Sequence, residues 1–155
     1  MRYLSFTLVF IVTLLCGCSS SEESVTYKAQ KEISISGKWE LSKINNNAIT
    51  LNEDGEQAYI IFNTQDSTIA VFDGCNNIGG DIIEAEGGNL VLNISTSTLQ
   101  LCEEQGESEK LGSILYTANK YRITESANEG KILTISDGKN SNSATFIAVK
   151  TEEQK

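Results

Sequence analysis

From about Ile35 to Lys150 the apolar residues come in short alternating runs, and this period of two constrains the fold more than any other feature of the chain. Successive side chains of a strand point to opposite faces, so a run with every second residue apolar buries one face and wets the other. Trp39 and Leu41 alternate with Lys38 and Glu40, and Leu90, Leu92 and Ile94 alternate with Val91 and Asn93. Ala58 to Phe62 and Thr68 to Phe72 are compact, β-branched and aromatic. Between a run ending at Glu86 and one starting at Asn89 stand only Gly87 and Gly88, a two-residue hairpin signal because glycine accepts the positive φ of primed turns. Lys131 to Ser136 and Ala144 to Val149 form a further pair around a polar loop opening with Asp137-Gly138. The period changes once, where Leu111, Ile114, Leu115 and Ala118 fall at i, i+3, i+4 and i+7, the stripe of one amphipathic helix. Glu103, Glu104, Glu107 and Glu109 cluster near its start, where negative charge suits the helix dipole. The expected fold class is α+β, mainly β: a small antiparallel curved sheet or barrel with one packed helix. Trp39, lying in an alternating strand, is expected in the core or plugging a barrel end.

The N-terminus obeys a different rule. Arg2 supplies a positive start, Leu4 to Leu15 an apolar stretch, and Leu15-Cys16-Gly17-Cys18 places a small residue directly before a cysteine. The stretch is short of the ~20 apolar residues that span a bilayer as a helix. It reads as a bacterial lipoprotein signal: residues 1–17 as signal peptide, 18–34 as lipidated cysteine and flexible tether, 35–150 as the domain, and 151–155 as a polar tail. Cys18 is the expected lipidation site, and two or more acyl chains there would hold the protein on a membrane where one holds it marginally. Ser19 rather than aspartate follows the cysteine, which by analogy with lipoprotein sorting favours the outer membrane, on its periplasmic face or the cell surface. The serine run with Glu22 and Glu23 also resembles a surface-export signal, although it is equally the composition of a disordered linker.

Charge and composition then exclude several kinds of chemistry. The chain carries 12 basic and 21 acidic residues, net −9, and no Lys/Arg cluster, so nucleic-acid partners are not expected. There is no histidine, which removes Ser-His-Asp and Cys-His catalysis and every His-ligated metal site. Cys75 and Cys102 are too few and too far apart for a zinc site. Gly74, Gly79 and Gly80 do not have the spacing of a phosphate cradle and read as turn glycines. The stretch Thr50 to Gly55 faintly resembles a calcium loop, but Thr50 and Ile61 stand where an acid and the bidentate glutamate are needed. No cofactor or metal is expected. A hydrolase using a Ser/Lys or paired-carboxylate site stays open as the alternative function, since acids are plentiful but no pattern pairs two of them.

The order of motifs is more specific. Gly37-Lys38-Trp39-Glu40-Leu41 is followed by Tyr59-Ile60-Ile61-Phe62, then Gly74-Cys75-Asn76-Asn77 with Gly80, then Ser97-Thr98-Leu99-Gln100-Leu101-Cys102, an acid-rich helix start and a closing Ile132-Leu133-Thr134-Ile135-Ser136-Asp137. This series resembles the META domain, also called HslJ-like, found in heat-inducible and other envelope lipoproteins. The chain departs from that pattern at Gln100-Leu101, where the family more often has Met-Ala, and at Asp81, which replaces an aromatic. The resemblance implies a small β-rich fold with one helix and no established enzymatic chemistry; with the lipoprotein signal, the expected function is a non-catalytic, lipid-anchored envelope domain that binds a protein or other envelope component or supports stress tolerance. Gly74, Asn76 and Asn77 are the candidate recognition turn, although asparagine in a tight turn is equally explained by its tolerance of left-handed backbone. Cys75 and Cys102 lie beside the two most specific motifs and form a candidate disulfide in an oxidising compartment; the competing reading is a pair of small buried thiols.

Overall fold

The structure, a computed structural model, describes residues 34–49, 57–101, 110–139 and 141–150. All of them belong to the unit Ile33–Lys155. The strands are β1 (Gly37–Ile44), β2 (Asn47–Ala48), β3 (Tyr59–Asn63), β4 (Thr68–Phe72), β5 (Asn77–Glu86) and β6 (Asn89–Ser97), followed after a crossover containing α1 (Lys110–Thr117) by β7 (Lys120–Ser126), β8 (Gly130–Ser136) and β9 (Ser143–Ala148). Neighbours pair in the order β2-β1-β3-β4-β5-β6-β7-β8-β9, every pair antiparallel, and β1 also pairs with β9. That last pairing closes eight strands into a barrel, with the two-residue β2 folded back on Lys43 and Ile44. Closure leaves no long free edge at β1 or β9, the usual hazard of an open sheet.

Period-two alternation sets the inside. Trp39, Leu41, Ile60, Phe62, Ile69, Val71, Leu90, Leu133, Ile135, Ala144 and Phe146 form one buried cluster, while their strand neighbours point outward. In β1 the alternation would turn Ile44 outward, but the pairing to β9 shifts register between Leu41 and Lys43. The bulge at Ser42 restores Ile44 to the core, where it is 1% exposed. Trp39 is 2% exposed, and its indole Nε1 donates to the Ile35 carbonyl at 2.7 Å, so its polar edge is satisfied inside the core, as the sequence predicts.

The hairpin at Gly87-Gly88 forms with both φ angles positive, 57° and 83°, the combination a type I′ turn requires. Gly79 and Gly80 are a correction: they lie inside β5 and not in a turn. A Cβ on Gly80 would penetrate the Asn93 carbonyl oxygen, and one on Gly79 would sit 2.7 Å from the Thr96 hydroxyl. The register shifts between Gly79 and Gly80, so these glycines let β6 press against β5 where the ribbon coils into the barrel.

The helix is short and exists because of what it covers. Isolated helices under ~12–15 residues are marginal in water, and α1 has 8. It buries Leu111, Ile114 and Leu115 and packs against β6, β8 and β9. Ala118, the fourth residue of the predicted stripe, falls one position past the helix end but remains packed on the core. Glu103, Glu104, Glu107 and Glu109 lie outside the described residues, as do the Thr50 to Gly55 stretch and the 151–155 tail. The ladder between β6 and β7 contains one pair, Asn89 with Lys120. No further ladder pair joins these two strands among the described residues. The fold is the mainly β, antiparallel, closed barrel with one packed helix that the patterning predicts.

Candidate functional site

Two surfaces collect the chemistry-bearing side chains. The first is the turn between β4 and β5. Asp73, at 5% exposure, accepts the N–H groups of Cys75 (2.9 Å) and Asn76 (2.6 Å) through Oδ1, while its own N–H donates to the Asn76 carbonyl at 3.1 Å. An aspartate closing over the amides two and three residues ahead imitates a backbone turn. Gly74 takes the positive φ, 98°, that such a tight reversal needs. Asn76 then reaches sideways: its Oδ1 accepts the Gln100 N–H at 2.8 Å and the Thr98 hydroxyl at 3.1 Å. The Thr98 hydroxyl oxygen accepts the Asn77 N–H at 3.0 Å, and the Thr98 N–H donates to the Asn77 carbonyl at 3.0 Å. The two motifs most specific to the family resemblance are thus clasped to one another.

This placement divides the three candidate recognition residues. The Asn76 carboxamide oxygen is committed to the clasp, Gly74 carries the backbone reversal, and the Asn77 side chain is exposed. Left-handed backbone is not the reason for either asparagine, because the positive φ falls on Gly74. The Cys75 Sγ lies 3.8 Å from the Gln100 carbonyl oxygen. Cys102 and Cys18 lie outside the described residues. Just past the clasp, Leu99 and Leu101 are fully exposed.

The second surface is a groove of about 720 Å³ on the outer face of β7, β8 and β9. Register builds it: Arg122 stands opposite Thr134 and Thr134 opposite Thr145, while Lys120 stands opposite Ser136 and Ser136 opposite Ser143. Directly paired residues share a face, so two rows of hydroxyls run across three strands, each beginning at a cation on β7. Gly87, Gly88, Asn46 and Gly138 complete its lining. Lys120 Nζ donates to Asn89 Oδ1 at 2.6 Å, and the Ser136 hydroxyl oxygen accepts the Gly138 N–H at 3.4 Å. Asp137, next to Gly138, is held below the ordinary carboxylate range, chiefly by the Ser141 hydroxyl (2.5 Å) and further by the Lys139 N–H (2.9 Å).

Sequence reasoning missed Asp73, Lys120 and Arg122. For Asp73 the signal was present, since an aspartate directly before glycine at a strand end is a turn former. For the cations it was thin: β7 alternates Tyr121 and Ile123 with Lys120, Arg122 and Thr124, only two apolar residues on the inward side. Among the described residues no three His, Cys, Asp or Glu side chains gather as a metal site would require. Among the described residues no helix is long and apolar enough to cross a membrane.

The NMR structure of a protein from Burkholderia xenovorans is similar to this chain with a TM-score of 0.54 and 19% identity, covering 74% of this chain and 83% of its own, a likeness of fold. No protein among the curated ones matches the sequence. The family profile of the META domain matches residues 31–150, which takes in every strand and the helix of the barrel. The chain belongs to the META domain family.

Proposed function

We propose that this protein is a lipid-anchored domain of the bacterial envelope, held through Cys18 in the outer membrane, which binds a protein or other envelope component and catalyses no reaction. The observation that carries the reading is the filled barrel. Phe62, Phe146, Leu41, Ile44, Leu133 and the helix residues Leu111 and Leu115 occupy the interior with less than 2% exposure each. A small barrel packed with side chains has no inner chamber for a substrate, and its recognition chemistry lies on the outside. The hydrolase alternative needs a serine activated by a lysine or two convergent carboxylates. Lys120 does stand opposite Ser136, but its ammonium bonds Asn89 and the serine hydroxyl takes the Gly138 amide, an arrangement that supports binding over nucleophilic attack.

The same proposal joins Cys75 to Cys102. Support comes from the clasp, which holds Gln100, two residues before Cys102, against the Cys75 sulfur. The functional reading is tested by envelope crosslinking in cells carrying the wild-type chain or Cys18→Ala. The wild-type protein should incorporate palmitate, partition into detergent and capture a defined envelope component. Cys18→Ala should lose the label and the partitioning; a variant that stays acylated and membrane-bound overturns the anchor.

A further inference from the structure

We infer that the outer groove of β7, β8 and β9 is a binding site for a short acidic saccharide. The inference deepens the binding reading above by naming a ligand class, and it does not depend on the anchor. Its first support is charge. In a chain of net −9, the described lining of the groove carries Lys120 and Arg122 and no carboxylate. Among the described residues no acid lies within ion-pair distance of either cation, and the Lys120 ammonium is met only by the neutral amide oxygen of Asn89. Asp137, beside groove residue Gly138, is turned to Ser141 and the Lys139 amide. Two cations kept clear of acids are an anion site, and a guanidinium offers a carboxylate or phosphate two parallel donors.

The second support is the lining between the charges. Thr134, Thr145 and Ser143 present hydroxyls at strand spacing, roughly 4.8 Å apart, with the nearly buried Ser136 lying between Lys120 and Ser143. Each can donate and accept, which suits the vicinal hydroxyls of a sugar ring. Lys43, opposite Thr145 on β1, ends the row that Arg122 begins. The groove volume of about 720 Å³ is far larger than one inorganic anion needs and lies in the range of small-molecule sites. The ligand must also be short. A long polyanion would run onto a surface whose net charge repels it, whereas one or two anionic groups match the cations present.

The full chain in non-ionic detergent is titrated with trigalacturonic acid, glucose 1-phosphate, fully methyl-esterified trigalacturonate and inorganic phosphate, and backbone amide shifts are followed by NMR. Saturable shifts at Gly88, Arg122, Thr134 and Thr145 are expected with an acidic sugar; the preferred one, carboxylated or phosphorylated, identifies the source of the anion. The ester and inorganic phosphate should bind about 10-fold more weakly or not at all, and Arg122→Glu should weaken acidic-sugar binding by about 10-fold or more. Thr145→Val, nearly isosteric, provides a second variant should Arg122→Glu disturb the fold, and should also weaken binding. No saturable shift with either acidic sugar, equal binding of the ester or of phosphate, or unchanged affinity in both variants overturns the site. A protein crosslink that survives these negative results would leave the binding reading standing and remove the saccharide site alone.

Discussion

Asp73 organises more of the molecule than its single charge suggests. Its carboxylate is nearly buried, and one oxygen holds two backbone amides of the turn. The two amides are part-buried, and leaving a fully buried donor unsatisfied costs about 1–3 kcal/mol, so Asp73→Ala should lower unfolding free energy by about 1–3 kcal/mol in all, read from urea denaturation. Asp73→Asn retains an acceptor oxygen and should cost clearly less; equal losses in the two variants would show that the amides are not the reason for the aspartate. At Asp137 the argument concerns pH. Hydrogen bonds from Ser141 and the Lys139 amide favour the ionised form and depress the folded-state pKa. Such a group adds stability above its unfolded pKa and loses it as pH falls through the folded pKa. Ser141→Ala removes the largest cause, so the Asp137 carboxyl should titrate at higher pH in a ¹³C NMR titration; an unchanged midpoint would contradict the assignment.

At the scale of elements, the helix shows how a short segment is held by what lies beneath it. Ile114 is 3% exposed against β6, β8 and β9. Ile114→Asp would bury a carboxylate without a partner and should cost several kcal/mol, a large part of the 5–15 kcal/mol typical of a domain. A thermal midpoint within a degree or two of the parent would place this face in solvent. The helix was legible because four apolar residues at i, i+3, i+4 and i+7 admit one helical face. β7 was harder to see, since Tyr121 and Ile123 are too few to establish a period, and Asn45-Asn46, with φ angles of 49° and 67°, makes a turn before a strand too short to leave a pattern. Gly79 and Gly80 were visible as glycines, but only the approach of Asn93 and Thr96 from the paired strand explains them.

For the whole molecule, the proposed bridge between Cys75 and Cys102 would close a loop of about 28 residues containing β5, β6 and the clasp. On the chain-entropy account that stabilises the domain by ~3–4 kcal/mol. Peptide mapping without reductant should recover the Cys75 peptide joined to the Cys102 peptide, and separate, fully alkylated peptides would overturn the pairing. The class of fold is legible in the residues alone, because alternation, a Gly-Gly hairpin and one helical stripe are local signals that each strand or helix carries on its own. The family is legible there too, through the order of its motifs along the chain. That the sheet closes through β1 and β9 follows only from the folded chain, since the pairing of two strands about 100 residues apart, with its register shift at Ser42, is not a local property. The same holds for the partners of Asn76 and the assembly of the outer groove. Arg122, Thr134 and Thr145 share a face because strands distant in sequence pair in one register, and no property of any single strand states which register that is.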